Sequence, residues 1–457
     1  MNDDTIAQCV LFPDLVAKPL VVTFDQAHAS SDGGAVLLRA ADRRLQLTTR
    51  MARCLTDARD PDRVTHALTD LVAQRIFGIA CGYPDANDGD RLGDDPMQKL
   101  VLDRHPVEGH ALASQPTVSR FENAVGPRAL YRTGRELAAG VIARHRRRLR
   151  GRARRITIDL DVTDDPTHGA QQLTFFHGHY DTWCYLPLLA FLTFNDEAEQ
   201  YLCAAVLRPG HAATTTGADG LLKRLIGLLR EAFPGVRLRV RLDGGFAHPT
   251  LLAHLDSWRV EYVVAMAENA VLARHAEPWM TDVRRQVAAT QETAHVYGET
   301  QYAARTWATA RRVIIKAEVV HLDGRNPRDN ARFVITNLRQ SPQWIYEHVY
   351  CGRGEIENRI KELHHGLEID RTSCSRFWAN QLRVLLTAAA YVLMQELRLH
   401  AARTRYARAQ VTTLRDRLLK IGARVVASAR RYVLHLPRAF PDIRAWQTIA
   451  RRLGAAT

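Results

Sequence analysis

A mixed α/β architecture is the fold class this sequence predicts, and three observations predict it. Helical periodicity fills roughly the first 150 residues. At Ile156 the pattern changes to strand alternation. From there to Met266 the order reads three strands, helix, strand, helix, strand, and helical patterns return near Gln343.

The chain has 457 residues, 46% hydrophobic and 25% charged, an ordinary globular composition long enough for several packed units. Lys and Arg number 63 against 49 Asp and Glu, a net charge of +14. Such a surplus favours a polyanionic partner, because each cation set on a phosphate releases a condensed counterion. An arginine-rich codon usage produces the same surplus. The seven cysteines are scattered with no C-x2-C pair, which argues against a zinc ribbon or disulfide framework and fits a reducing cytoplasm. No run of about 18 apolar residues occurs, and Met1-Asn2-Asp3-Asp4 is not the basic start of a leader. The expectation is a cytoplasmic protein with no membrane partner.

In chain order, the first helices are expected around Gly33–Ala40, with Ser31 and Asp32 in the capping position, and around Val64–Val72. Ser114–Asn123 has the small, polar composition of a helix presented to DNA, which a plain capped helix shares. Between Arg144 and Arg155, eight of twelve residues are arginine, Arg146, Arg147 and Arg148 among them; such a run can follow a phosphate backbone or form a solvated linker. Strands are expected at Ile156–Thr163, within Trp183–Phe194 and Tyr201–Leu207, at Val236–Asp243 and at Val260–Met266, with a helix near Leu221–Phe233. The same order occurs in ribonuclease-H-like folds. Residues 272–340 are expected to be β-rich, with stretches at Ala303–Ile315, Lys316–Leu322 and Phe333–Leu338. A buried helix follows at Phe377–Leu397, and Thr412–Val426 onward to Arg452 is expected to be helical and basic.

Acidic residues at strand ends are where an α/β sheet places its chemistry. Asp161 stands near the end of the first strand, in Asp161-Val162-Thr163, with Asp159 two positions earlier on the same face as the alternative. Asp243 ends a later strand and precedes Gly244-Gly245. Carboxylates suit a hard cation such as magnesium, which prefers oxygen to nitrogen or sulfur. The segment Tyr350–Gly366 reads as a helix on which Tyr350, Arg353, Glu357, Lys361 and His364 fall within roughly 80° of arc. Val349, Ile356, Ile360, Leu363 and Leu367 make an apolar stripe beside them, while Glu355, Asn358, Arg359 and Glu362 are expected on the opposite side. An ordinary amphipathic helix with a Glu357–Lys361 pair has the same pattern.

Tyr350-x2-Arg353-x3-Glu357 resembles the Y-x2-R-x3-E-x6-K signature of a large branch of bacterial insertion-sequence transposases. The wider pattern is similar to the insertion sequence 1380 family: Asp32-Gly33-Gly34-Ala35-Val36-Leu37-Leu38-Arg39-Ala40-Ala41-Asp42, Asp60–His66, Ala80-Cys81-Gly82-Tyr83 with Asp85–Asp88, Asp370–Cys374 and Ala379-Asn380-Gln381. The resemblance spans nearly the whole chain. It implies a DDE-type transposase with a ribonuclease-H-like, mixed-sheet catalytic core. Asp161, Asp243 and Glu357 would bind two Mg2+ ions, with Mn2+ as a substitute. Tyr350 and Arg353 would contact phosphate near the transposon end. The lysine of the signature falls on His364, so either His364 or Lys361 takes its place. The implied organisation is a DNA-end-binding region at 1–150, core segments at 151–271 and 341–400 around a β-rich insertion at 272–340, and a helical basic region at 401–457. The partners would be double-stranded DNA, as terminal inverted repeats and target, and a second copy of the chain. A transposase-derived DNA-binding protein without activity and a ribonuclease-H-like DNA nuclease are the competing readings.

Overall fold

In the computed structural model, which describes residues 10–12 and 14–456, the first third of the chain is largely helical. Its main helices are α1 (Ala35–Leu45), α2 (Leu68–Ala80), α3 (Gln115–Ala124) and α4 (Pro127–Arg148). The residues that set the apolar period are the ones buried: Leu37, Leu38, Ala41 and Leu45 in α1, and Leu130, Leu137, Val141 and Ile142 in α4. The expected cap at Ser31 and Asp32 is corrected, because α1 is capped at Gly34. Asp32 is fully buried and accepts instead from Gln98 Nε2 at 2.8 Å and Lys420 Nζ at 2.7 Å. Gly34 admits no side chain, since a Cβ there would overlap the Leu418 carbonyl.

The next layer is a mixed sheet. Its strands are β1 (Arg155–Val162), β2 (Leu188–Phe194), β3 (Tyr201–Val206), β4 (Arg237–Leu242), β5 (Glu261–Met266), β6 (Ala294–Tyr302), β7 (Arg311–Val320) and β8 (Arg332–Thr336). Their order is β3-β2-β1-β4-β5-β8-β7-β6, and Arg328–Asp329 adds a short ninth strand beside β7. β4 is parallel to both β1 and β5, and every other pairing is antiparallel. The parallel pairs require crossovers, supplied by α5 (Ala218–Ala232) between β3 and β4 and α6 (Pro249–Ser257) between β4 and β5. β1 is buried along nearly all its length, as a central strand covered on both faces must be.

Two expectations are corrected around this sheet. Residues 272–290 are not β-rich: they belong to α7 (Ala270–Thr290), capped by Asn269 and burying Leu272, Ala276, Met280, Val283 and Val287 at helical spacing despite Pro278. One strand, β7, crosses the expected break between Ile315 and Lys316, and the strands here extend the main sheet through the β5–β8 pairing. The C-terminal part is not wholly helical either. Ala423–Ala427 and Tyr432–His435 form strands, and the first pairs with Ala29–Ser30 near the other end of the chain.

The segment Tyr350–Gly366, the third acidic segment after the strand ends of Asp161 and Asp243, contains α8 (Glu355–Lys361), and the buried helix is α9 (Phe377–His400), before a final α10 (Ile443–Leu453). α9 is buried over most of its surface, and its polar side chains are spent on partners. Gln381 Oε1 accepts from the Leu207 amide at 2.7 Å and Gln395 Oε1 from the Leu202 amide at 3.1 Å, so the helix satisfies backbone donors along the β3 edge. Arg75 and Arg383 both bind the fully buried Glu122, tying α2 and α9 to α3. The main apolar core runs from Ala35 to Leu453 through the sheet and α9, and a smaller separate cluster joins Val263, Ile314 and Val334 of the sheet to Ile345, Tyr346 and Val349.

Candidate active site

Parallel pairing of β1 with β4 sets Arg241 beside Asp159, and strand alternation puts Asp161 on the same face two residues further on. Asp159 is fully buried and gripped at both oxygens, by Arg241 Nε at 2.7 Å and Nη2 at 2.8 Å. Burial pushes its carboxyl upward, against the pull of Arg241. Arg241 also donates from Nη1 to the Val349 carbonyl at 3.1 Å, anchoring the third acidic segment to the sheet. Gly352 closes over this guanidinium, where a Cβ would overlap Nη1.

Asp243 follows β4 directly and caps the turn Gly244–Phe246, its Oδ1 accepting from the Gly245 amide at 2.8 Å. Its Oδ2 faces Asp161 across one guanidinium: Arg353 Nη2 lies 2.8 Å from Asp161 Oδ2 and 3.4 Å from Asp243 Oδ2. Burial pushes the Asp161 carboxyl up to about 6, opposed by Arg353 and reinforced by the Asp243 charge. Two carboxylate oxygens converging on one cationic nitrogen are a hard-oxygen donor set, the kind that magnesium or manganese takes. Glu357 lies outside this convergence and is exposed. Among the described residues no three acidic, histidine or cysteine side chains gather closely enough to hold a metal ion.

The segment carrying Glu357 is not one regular helix. It winds as a π-helix at Ile345–Tyr350, a 3-10 turn at Cys351–Gly354, α-helix in α8, and a π-helix again at Glu362–Gly366. Unequal winding divides the expected stripe. Tyr350, Arg353 and His364 are partly buried, whereas Glu357 and Lys361 face solvent. Glu362, expected on the outer side, is buried: it accepts from Tyr391 Oη at 2.6 Å, Arg359 Nη1 at 2.9 Å and the Val411 amide at 3.1 Å, and pairs with Arg398.

His364 joins this segment to β1. Its Nε2 lies 2.9 Å from Thr163 Oγ1 and its Nδ1 3.1 Å from Asp370 Oδ2. The neighbouring residues are pinned as well, Arg371 to Asp85 at 3.1 Å and Thr372 Oγ1 to the buried Asp165 at 2.8 Å. Sequence reasoning missed Arg241 and Asp165 and misplaced Glu362; the alternation Arg237-x-Arg239-x-Arg241 on a buried strand was the available signal for the first. The arginine run is split. Arg144 binds Glu396 at 2.8 Å and Arg148 binds Glu197 at 2.8 Å, while Arg146 and Arg147 remain exposed. Six cysteines, 54, 81, 184, 203, 351 and 374, are free thiols, and among the described residues no helix is long and apolar enough to cross a membrane.

A solved structure resembling this chain is a cryo-EM structure of the piggyBac transposase synaptic complex with hairpin DNA, which aligns over 83% of this chain and 80% of that chain at 10% identity and a TM-score of 0.39. No curated protein matches the chain. A family profile described as Transposase DDE domain group 1 matches residues 12–457. That match takes in the strand-end aspartates of β1 and β4 and the irregular segment beyond them, and the chain belongs to this family of DDE transposases.

Proposed function

We propose that the chain is an active insertion-sequence transposase, of the insertion sequence 1380 type, that binds terminal inverted repeats, cleaves DNA at the element ends and joins the 3′ ends to target DNA. The observation that carries this reading is the meeting of Asp161 and Asp243, from adjacent parallel strands, on one cationic nitrogen. The strand order β3-β2-β1-β4-β5, with β2 antiparallel to its neighbours, supports a ribonuclease-H-like core.

In this reading Asp161 and Asp243, joined by Glu357, would hold two divalent ions, Mg2+ or Mn2+, and Asp159 is a structural partner of Arg241 rather than the first ligand. Held there, they would supply an activated water and charge stabilisation for the leaving oxygen of the phosphodiester. The chain's own residues do the rest. Arg353 exchanges its carboxylates for a phosphate oxygen when DNA enters, and Tyr350 lies three residues before it on the same segment. His364 positions the segment through Thr163, in place of the signature lysine. Residues 1–150 bind the DNA ends, 151–271 and 341–400 form the core around 272–340, and 401–457 completes the fold. Two ends have to be held together, so the working form is a homodimer in the cytoplasm.

Cleavage of the inverted repeats that flank the gene, with and without Mg2+, tests this. End-specific nicking by the wild type that is lost in Glu357→Ala is expected. Equal inertness of the two proteins on the correct ends would leave a DNA-binding derivative, and cutting without end preference would leave a nuclease.

A further inference from the structure

α4 is 22 residues long, about 33 Å at 1.5 Å per residue, close to one turn of duplex DNA at roughly 34 Å. Arg128, Arg132, Arg135 and Arg146 are exposed and fall within about 60° of arc on this helix at 100° per residue, with the exposed Arg147 about 60° beyond that arc. Among the described residues none of the five takes part in an ion pair, although Arg144 and Arg148 on the same helix do. One side of this face continues onto α5, where the exposed Arg224 lies over the ring of Tyr131, 5.4 Å from its centroid; Tyr131 is itself 53% exposed. At the N-terminal end Arg120, Arg128 and Arg132 line a cleft of about 1500 Å³ between Leu55–Thr65 and the α3–α4 junction. The acids of the cleft are already neutralised, Asp57 by Arg59 and Asp60 by Arg63.

We propose that this face of α4, with Arg224 and Tyr131 beside it, is a second DNA surface that lies along the phosphate backbone of a duplex, separate from the strand-end carboxylates. It rests on the transposase reading above and names a part of residues 1–150, joined by Arg224 of α5, that meets DNA outside recognition of the terminal repeats. Uncompensated arginines on one helix face, three within Arg128–Arg135 and Arg146 about 16 Å further on, match phosphates along one backbone, and phosphate contacts carry no sequence information. An acidic protein would need no such length.

The experiment compares the full-length wild type with Arg128→Gln/Arg132→Gln/Arg135→Gln and with the corresponding triple lysine variant, measuring affinity for a flanking-end duplex and a scrambled duplex against salt concentration. Each phosphate contact contributes about 0.9 to the slope of log affinity against log salt, so the glutamine variant is expected to lose about 2 to 3 from the slope on both duplexes. The lysine variant is expected to keep it, which separates charge from folding damage. A slope unchanged in the glutamine variant, or a loss confined to the end duplex, overturns the proposal. A wild type that binds neither duplex overturns the transposase reading instead.

Discussion

Arg353 holds Asp161 in an ion pair of 2.8 Å, and the same nitrogen reaches across to Asp243. The guanidinium thus neutralises the two carboxylates that the proposed site would offer to a metal. Replacing Arg353 with glutamine is expected to tighten Mn2+ binding in the absence of DNA by about tenfold, equivalent to about 1.4 kcal/mol, while end cleavage falls. Calorimetric titration of the DNA-free protein checks this, and an unchanged affinity would show that Arg353 does not compete.

Asp159 and Asp161 are expected to behave oppositely. Asp159→Ala strands the buried Arg241 and should cost about 3–5 kcal/mol in denaturant unfolding. Asp161→Asn should instead add about 1–2 kcal/mol at pH 7. With its folded pKa raised to about 6, Asp161 favours the fold below its ordinary value near 3.8 and loses that contribution as pH rises through 6. The gain of the Asn variant should therefore vanish below about pH 4. Destabilisation by both substitutions alike would end the distinction.

Glu396 offers a pH test outside the site. Burial would raise its carboxyl, but hydrogen bonds from His400 and Arg144 outweigh that and take it from 4.5 down to about 2. A depressed acid stabilises above its unfolded value and is lost as pH falls through its folded one, so the window is about pH 4.5 to 2. Glu396→Gln is expected to lose up to about 3 kcal/mol at neutral pH and to unfold with a shallower acid dependence, read by circular dichroism.

Gly352→Ala is expected to cost about 1–3 kcal/mol, because the added methyl pushes on an Arg241 held by Asp159 and the Val349 carbonyl. Thermal unfolding measures it, and a neutral result would show that the Arg241 side chain can yield.

What the sequence made legible was whatever depends on local period. β1, β4 and β5 lie within a residue or two of their expected bounds, and Phe377–Leu397 is buried as its apolar content requires. α7 was hidden by Pro278, although Leu272, Ala276, Met280, Val283 and Val287 carried its period. The strand at Ala423–Ala427 owes its state to Ala29–Ser30, a partner no local window contains. In the candidate site, Asp161 and Asp243 stand at the end of β1 and directly after β4, where the strand pattern put them. The burial of Glu362 was not legible, because a uniform 100° step cannot represent a segment that changes winding three times after Tyr350.

That irregular segment has a mechanical consequence. A 3-10 turn advances about 120° per residue and an α-turn about 100°, so relaxing the four residues Cys351–Gly354 to α pitch would rotate Glu357 by about 80° relative to Tyr350. With one end held by the Val349 carbonyl on Arg241 and the other by His364 on Thr163, the azimuth of the Glu357 carboxylate depends on the winding between them.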